Sequence, residues 1–168
     1  MPSQKFLIPL TLLTCFLATP AKADRVTSMD CQTTLSLKDG ARLTYNISGQ
    51  VRLTDNDELI GDNADNNLSI TISRRERNGQ ERYLRYQEKL NSWFSDAPDA
   101  DYRPLLNRFS SSVKSSIGEL YHVSSADHGI YIGVTRKYPI KIQVVHFLNK
   151  ARTSSARSDI SRCSVAQG

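Results

Sequence analysis

The chain has 168 residues, 22 of them Lys or Arg and 17 Asp or Glu, for a formal net charge of +5, and 39% of it is apolar. That mild excess of base argues for solubility more than for a nucleic-acid partner. Beyond residue 23 no segment is apolar enough to span a bilayer as a helix.

Residues 1–23 read as a secretory leader. "MPSQK" carries a positive charge, "FLIPLTLLTCFLA" is the apolar run, and Ala21-Lys22-Ala23 places small residues at −3 and −1 of a cleavage site. The run is shorter than the about 20 residues a transmembrane helix needs. Cleavage after Ala23 leaves 145 of the 168 residues, starting at Asp24, and predicts a secreted or periplasmic protein. Lys5 and Lys22 depart with the leader, so 20 basic side chains face 17 acidic ones, a net +3. A rival reading makes Cys15 a lipidated residue, but Thr14 is a poor fit to a position that wants Gly, Ala or Ser.

Two cysteines remain, Cys31 and Cys163, and in an oxidising compartment they predict one structural disulfide. It closes nearly all of residues 24–168, read as a single domain. Chain-entropy arguments value so long a loop at about 4–5 kcal/mol.

Taken in chain order, "CQTTLSLKDGARLTYNI" predicts a hairpin. A three-residue loop, Lys38-Asp39-Gly40, pairs Leu37 with Ala41, Leu35 with Leu43, Thr33 with Tyr45 and Cys31 with Ile47. One apolar face is then in register, and Gly40 takes the left-handed position of the loop. Residues 55–67, "DNDELIGDNADNN", hold five carboxylates and no Lys or Arg and read as a solvated loop. The ligand spacing of an EF-hand is missing: Leu59 and Ile60 occupy positions that need an oxygen ligand and Gly.

"LSITISRRERNGQERYLRYQE" predicts a second hairpin around Arg77-Asn78-Gly79. It pairs Arg75 with Glu81, Arg74 with Arg82, Ile72 with Leu84 and Ile70 with Tyr86. Tyr83, Tyr86, Leu90, Trp93 and Ala97 also fall at helical spacing, so strand and helix compete over 80–95. The strand is favoured by the turn register. Residues 101–117 predict one amphipathic helix, with Tyr102, Leu105, Leu106, Phe109, Val113 and Ile117 on its buried face. Strands follow in "ELYHVSS" and "GIYIGVTRK", where a four-residue loop puts Tyr121 and Val123 in phase with Ile132 and Val134. "IKIQVVHFL" is apolar on both faces, the mark of a covered central strand. The last strand, "DISRCSV", carries Cys163.

The chemistry on offer is sparse. His122, His128 and His146 have no metal-ligand spacing, and His146 on an apolar strand face reads as a hydrogen-bonded core residue. No phosphate-binding glycine loop, nucleophile elbow or zinc-protease motif is present. No catalytic residue, metal or cofactor is therefore expected. The charged stretch 73–86 supplies the candidate partner-binding residues: Arg74, Arg75, Arg77, Arg82, Tyr83 and Arg85. Arginine interleaved with tyrosine suits single-stranded nucleic acid. Export, the modest net charge and two interrupting glutamates favour a protein or another anionic extracytoplasmic partner instead.

These features predict a mainly β domain, an antiparallel sandwich or partly closed barrel of seven to eight strands with one helix. The expected function is a non-catalytic extracytoplasmic binding protein acting on another protein, as an inhibitor, immunity factor or accessory subunit. The alternatives are a barrel carrying a small apolar ligand and a hydrolase with an unrecognised site. A filled core favours the binder over the carrier. Buried titratable groups clustered in a cleft favour the hydrolase.

Overall fold

The computed structural model describes residues 24–61, 63–92, 99–123 and 129–166, the side chains of 99–102 excepted. The expected leader with Cys15 and the cleavage site lies outside these residues, as do Asp62, Trp93, Ala97 and His128.

The first four strands, β1 (Arg25–Ser36), β2 (Arg42–Leu53), β3 (Asn67–Arg75) and β4 (Glu81–Lys89), form an antiparallel meander. After β5 (Asn91–Ser92) come two helices, α1 (Asp99–Leu106) and α2 (Ser111–Lys114), then β6 (Ile117–His122), β7 (Ile130–Thr135) and β8 (Lys141–Phe147). The chain closes with β9 (Ser155–Arg157), β10 (Ser161–Arg162) and β11 (Ser164–Val165). One sheet has the order β11-β1-β2-β3-β4; the other has β10-β8-β7-β6-β5, with β9 also beside β8. Both sheets are open, so the fold is a sandwich and not a barrel. Seven strands have six residues or more, and the other four have two or three.

The first hairpin has the register its sequence predicts. Cys31 pairs with Ile47, Thr33 with Tyr45 and Leu35 with Leu43, and Gly40 turns the chain at φ 82°. Alternate residues of β1 and β2 therefore face inward. Met29, Tyr45, Ile47, Val51 and Leu53, all within 1% of full burial, meet Ile132, Val134, Ile142 and Val144 of the second sheet. The β6–β7 hairpin keeps its predicted faces but not its register. Tyr121 pairs with Ile132, two residues away from the alignment a four-residue loop demands. A slip of two leaves every side chain on its own face, so the apolar pattern cannot report it.

The predicted helix over 101–117 is broken. The chain leaves α1 after Leu106, and Ser110 is extended, with its N–H donating to Gln143 Oε1 at 2.8 Å. Ser116 Oγ donates back to the Ser112 carbonyl at 2.8 Å, the local competition that makes serine a poor helix-interior residue. Ile117 already belongs to β6. The apolar period still identifies what is buried: Leu105, Phe109 and Val113 pack on Leu120, Tyr131, Val145 and Phe147, the far face of the second sheet. Strand β8 thus feeds two cores, as its two apolar faces predict. Gly133 permits the close approach, since a Cβ there would lie 2.9 Å from the Phe109 ring.

The C-terminal strand changes sheets at Cys163. Ser161 and Arg162 pair with β8, whereas Ser164 and Val165 pair with β1. At the crossing, Cys163 is bonded to Cys31 with the Cα atoms 4.4 Å apart. On either side the same segment is sewn to β1: Thr33 Oγ1 donates to the Asp159 carbonyl, and Thr27 Oγ1 to the Ala166 carbonyl, each at 2.7 Å.

At the other end of the first sheet the 54–66 loop is latched by Asn66. Its Oδ1 accepts the Arg52 N–H at 2.8 Å, and its Nδ2 donates to the Ile60 carbonyl at 2.8 Å and to Glu119 Oε2 at 3.0 Å. Glu119 is 1% exposed, so this bond serves a carboxylate removed from water.

Replacing Cys31 and Cys163 together by Ser is expected to lower the unfolding free energy by about 2–5 kcal/mol in urea titrations. A loss below about 1 kcal/mol would mean that the crossing strand holds without its bond. Asn66→Ala is expected to cost about 1–3 kcal/mol, because it removes the partner of the half-buried Arg52 N–H and one hydrogen bond to the buried Glu119 carboxylate. A neutral outcome in the same titration would show that water replaces the latch.

Candidate partner-binding surface

The charged hairpin turns at Arg77-Asn78-Gly79 as the sequence predicts. Gly79 has φ 88°, the Glu76 N–H donates to the Gln80 carbonyl at 2.7 Å, and the Gly79 N–H to the Glu76 carbonyl at 3.0 Å. Arg75 pairs with Glu81 and Arg74 with Arg82. Further along, the expected register fails. Ile72 faces Arg85, not Leu84, and Ile70 faces Glu88, not Tyr86. One residue too many enters β4 at each of two irregularities, and Gln87 takes φ 48° while its N–H donates to Thr71 Oγ1 at 3.2 Å.

The cause is position. β4 is the outermost strand of its sheet, so no further ladder holds it in register, and bulges concentrate at such edges. The consequence is a change of face. Leu84 packs against the core and Tyr83 points outward, as simple alternation requires. The extra residue then brings Tyr86 out as well. The two rings meet edge to face with centroids 5.5 Å apart, and each tyrosine is 66% exposed.

The six candidate residues divide by what they already hold. Arg74 clamps the two hairpin loops together, reaching Asp39 Oδ2 through Nη2 and Glu76 Oε1 through Nε, each at 2.7 Å. These contacts offset its unfavourable pairing with Arg82. Asp39 also accepts the Ala41 N–H at 2.9 Å. That bond, then the Arg74 guanidinium, holds the Asp39 carboxyl below its usual 3.8, and Arg74 does the same for Glu76. Arg85 is held at the bulge, with Nη1 donating to the Leu84 carbonyl at 2.7 Å and Nε 3.5 Å from Glu88. Both arginines are structural. Arg75, Arg77 and Arg82 are exposed, and among the described residues none has a carboxylate oxygen within 4.0 Å.

Arg42 belongs with them and was not singled out by the sequence. It pairs directly with Arg75 across β2 and β3, is exposed, and lacks an ion-pair partner among the described residues. Its place depends on the β2–β3 register, which an intervening loop of more than ten residues hides.

The acidic loop does not neutralise this end of the molecule. It joins the opposite ends of β2 and β3, about 25–30 Å away at the usual strand rise. Three of its carboxylates are paired locally: Asp57 lies 2.7 Å from Arg25, Asp65 2.6 Å from Arg52, and Glu58 3.9 Å from Lys137.

Among the described residues, titratable groups elsewhere do not converge on a cleft. His146 Nδ1 is 2.8 Å from the Tyr45 hydroxyl, a core hydrogen bond, and burial raises the Tyr45 hydroxyl far above its ordinary value. His122 is lowered by burial and then by Arg152. Glu119 and Tyr121 are neighbours, but both are enclosed between the sheets, 1% and 2% exposed, where they hold the loop. Burial and Glu119 raise the Tyr121 hydroxyl.

Because the folded-state pKa of Asp39 is depressed, its clamp is complete above 3.8 and is lost as pH falls through the lower folded value. An NMR titration of the Asp39 side-chain carboxyl is expected to show a midpoint below 3.8, rising toward it in Arg74→Gln. An unchanged midpoint in that variant would leave the Ala41 bond as the whole cause. No protein-family model, curated protein or solved structure matches this chain.

Proposed function

We propose that the chain is an exported, non-catalytic binding module that engages an acidic partner through the hairpin end of its first sheet. The observation that carries this reading is the contrast between arginines. Among the described residues, Arg42, Arg75, Arg77 and Arg82 stand exposed without an ion-pair partner, while three carboxylates of the acidic loop, Asp57, Glu58 and Asp65, already hold a base at the far end. Beside them stand the outward tyrosines, Tyr83 and Tyr86, and Tyr with Arg is the combination that recognition hot spots favour.

Two further observations support a binder over the alternatives. The space between the sheets is filled by large side chains such as Met29, Tyr45, Ile70 and Ile132, each 0% exposed, which disfavours a carrier of an apolar ligand. The enclosed Glu119–Tyr121 pair gives a hydrolase no open cleft. Export is supported by the Cys31–Cys163 bond and by the leader pattern, with cleavage after Ala23; among the described residues no helix is long and apolar enough to cross a membrane. The roles expected from the sequence, an inhibitor, immunity factor or accessory subunit, are forms of such binding. The exposed arginines support an acidic partner in each of these forms.

Exchanging Arg75, Arg77 and Arg82 for Ser is expected to leave the unfolding free energy within about 1 kcal/mol, since exposed charges of this kind contribute little to stability. With the mature chain as bait in the extracytoplasmic fraction, the variant should capture less of the partner than the native chain does, and the contrast should be largest at low salt, where screening is weakest. Equal capture by both baits at low salt would reduce the hairpin to a solvated surface.

A further inference from the structure

We infer that the outer face of the first sheet is a binding trough for a linear acidic saccharide. The inference rests on the binding-module reading above and names the class of its partner.

The evidence begins with what covers that face. Four successive cross-strand rows, beginning at Ser36, Thr34, Gln32 and Asp30, carry hydroxyl, amide and charged side chains and Tyr83, but no aliphatic one. The second row reads Thr34, Thr44, Ser73, Tyr83. In the third, Gln32 Nε2 donates to Asn46 Oδ1 at 2.8 Å. The centre of a protein–protein interface is apolar and poor in charge, and this face is the reverse. A hydroxylated ligand can match such a face by taking the place of solvent at its exposed hydroxyl and amide groups.

The face is also concave. One groove of about 340 Å³ lies between Arg42, Arg75 and Arg77 at the hairpin end. A second of about 460 Å³ lies between Asn46, Ser48 and Arg162, beside the crossing strand. Gln32 lines both, so the two shallow grooves adjoin along β1 and β2, and we take them together as the trough. From the Ser36 row to the Asp30 row is about 20 Å at the usual strand rise, the reach of an extended chain and not of a single small molecule.

Charge and shape then select the chain. Arg42 and Arg75 sit directly opposite each other, an arrangement that is unfavourable until an acid group lies between them. Two guanidinium forks there can each take a pair of oxygens from a carboxylate or phosphate. Arg162 offers a second acid contact at the other end. Tyr83, closing the Thr34 row, presents an apolar plate with a polar rim, suited to the C–H face of a sugar ring. The trough carries its own acids, Asp30, Glu76 and Glu81, which can accept hydrogen bonds from sugar hydroxyls.

The test uses the mature, disulfide-bonded chain and three probes: a galacturonate hexamer, the same hexamer with its carboxyls reduced to alcohols, and an oligoglutamate peptide of similar length. Calorimetry gives affinities, and amide NMR spectra give location and confirm that each variant is folded. The expected result is binding of the uronate with shifts at Gln32, Thr34, Thr44 and Asn46, and at least ten-fold weaker binding of the other two. Arg42→Gln should weaken uronate binding about ten-fold or more, and Thr34→Val with Thr44→Val about three- to ten-fold, as lost hydrogen bonds do. Arginine-dependent binding of oligoglutamate equal to or tighter than uronate, unaffected by the Thr variants, would overturn the saccharide and leave the binding module standing with a protein partner. Failure of all three probes would overturn the saccharide, and if the Arg75, Arg77 and Arg82 variant also captures partners as the native chain does, the module reading falls with it.

Discussion

The structure depends on the point at which its last strand changes sheets. A sandwich of two open sheets is held mainly by the apolar layer between them, and such a layer does not by itself fix how the sheets lie along their edges. Here one edge is fixed covalently. Cys163 sits between two residues that pair with the second sheet and two that pair with the first, and its sulfur bonds to Cys31 on β1. The bond lies 132 residues across the sequence, so it removes a large share of the freedom of the unfolded chain. It also places Arg162 at one end of the outer trough, so the closure of the fold and one wall of the proposed binding surface are the same feature.

What was legible in the sequence follows how local the determining interaction is. The first hairpin was readable to the residue, because Gly40 fixes the turn and the Leu35–Leu43 and Thr33–Tyr45 pairs leave only one alignment with a common apolar face. The second was readable for its first pairs and then failed. Its bulges arise because nothing lies beyond β4, a fact about the finished sheet. The trace they leave in sequence is the three-residue spacing of Tyr83 and Tyr86, which imitates a helix. The stretch from Leu105 to Ile117 shows the same limit: the period names the buried side chains, while Ser110 and its bond to Gln143 decide that the helix breaks.

The candidate surface was half legible for a related reason. Composition alone marks residues 73–86 as the basic stretch but treats its arginines as equivalent. Topology separates them. Arg74 and Arg85 hold the hairpin together, and Arg75, Arg77 and Arg82 are left to solvent. Arg42, from a different hairpin, completes the group because β2 and β3 align it with Arg75. The acidic loop is not their counter-charge: the strand lengths put it at the opposite end of the sheet, where Arg25 and Arg52 meet it.

The division between structural and available arginines is the centre of this account, and side-chain NMR reads it directly. The Nε–H signals of Arg42, Arg74, Arg75, Arg77, Arg82 and Arg85 would be followed while an acidic oligomer is added at low salt. The expected result is saturable movement of Arg42, Arg75, Arg77 and Arg82 with one common dissociation constant, while Arg74 and Arg85, already paired with Glu76 and Glu88, stay in place. Small, unsaturable shifts shared equally by all six would contradict it, because they would show a diffuse positive surface with no site.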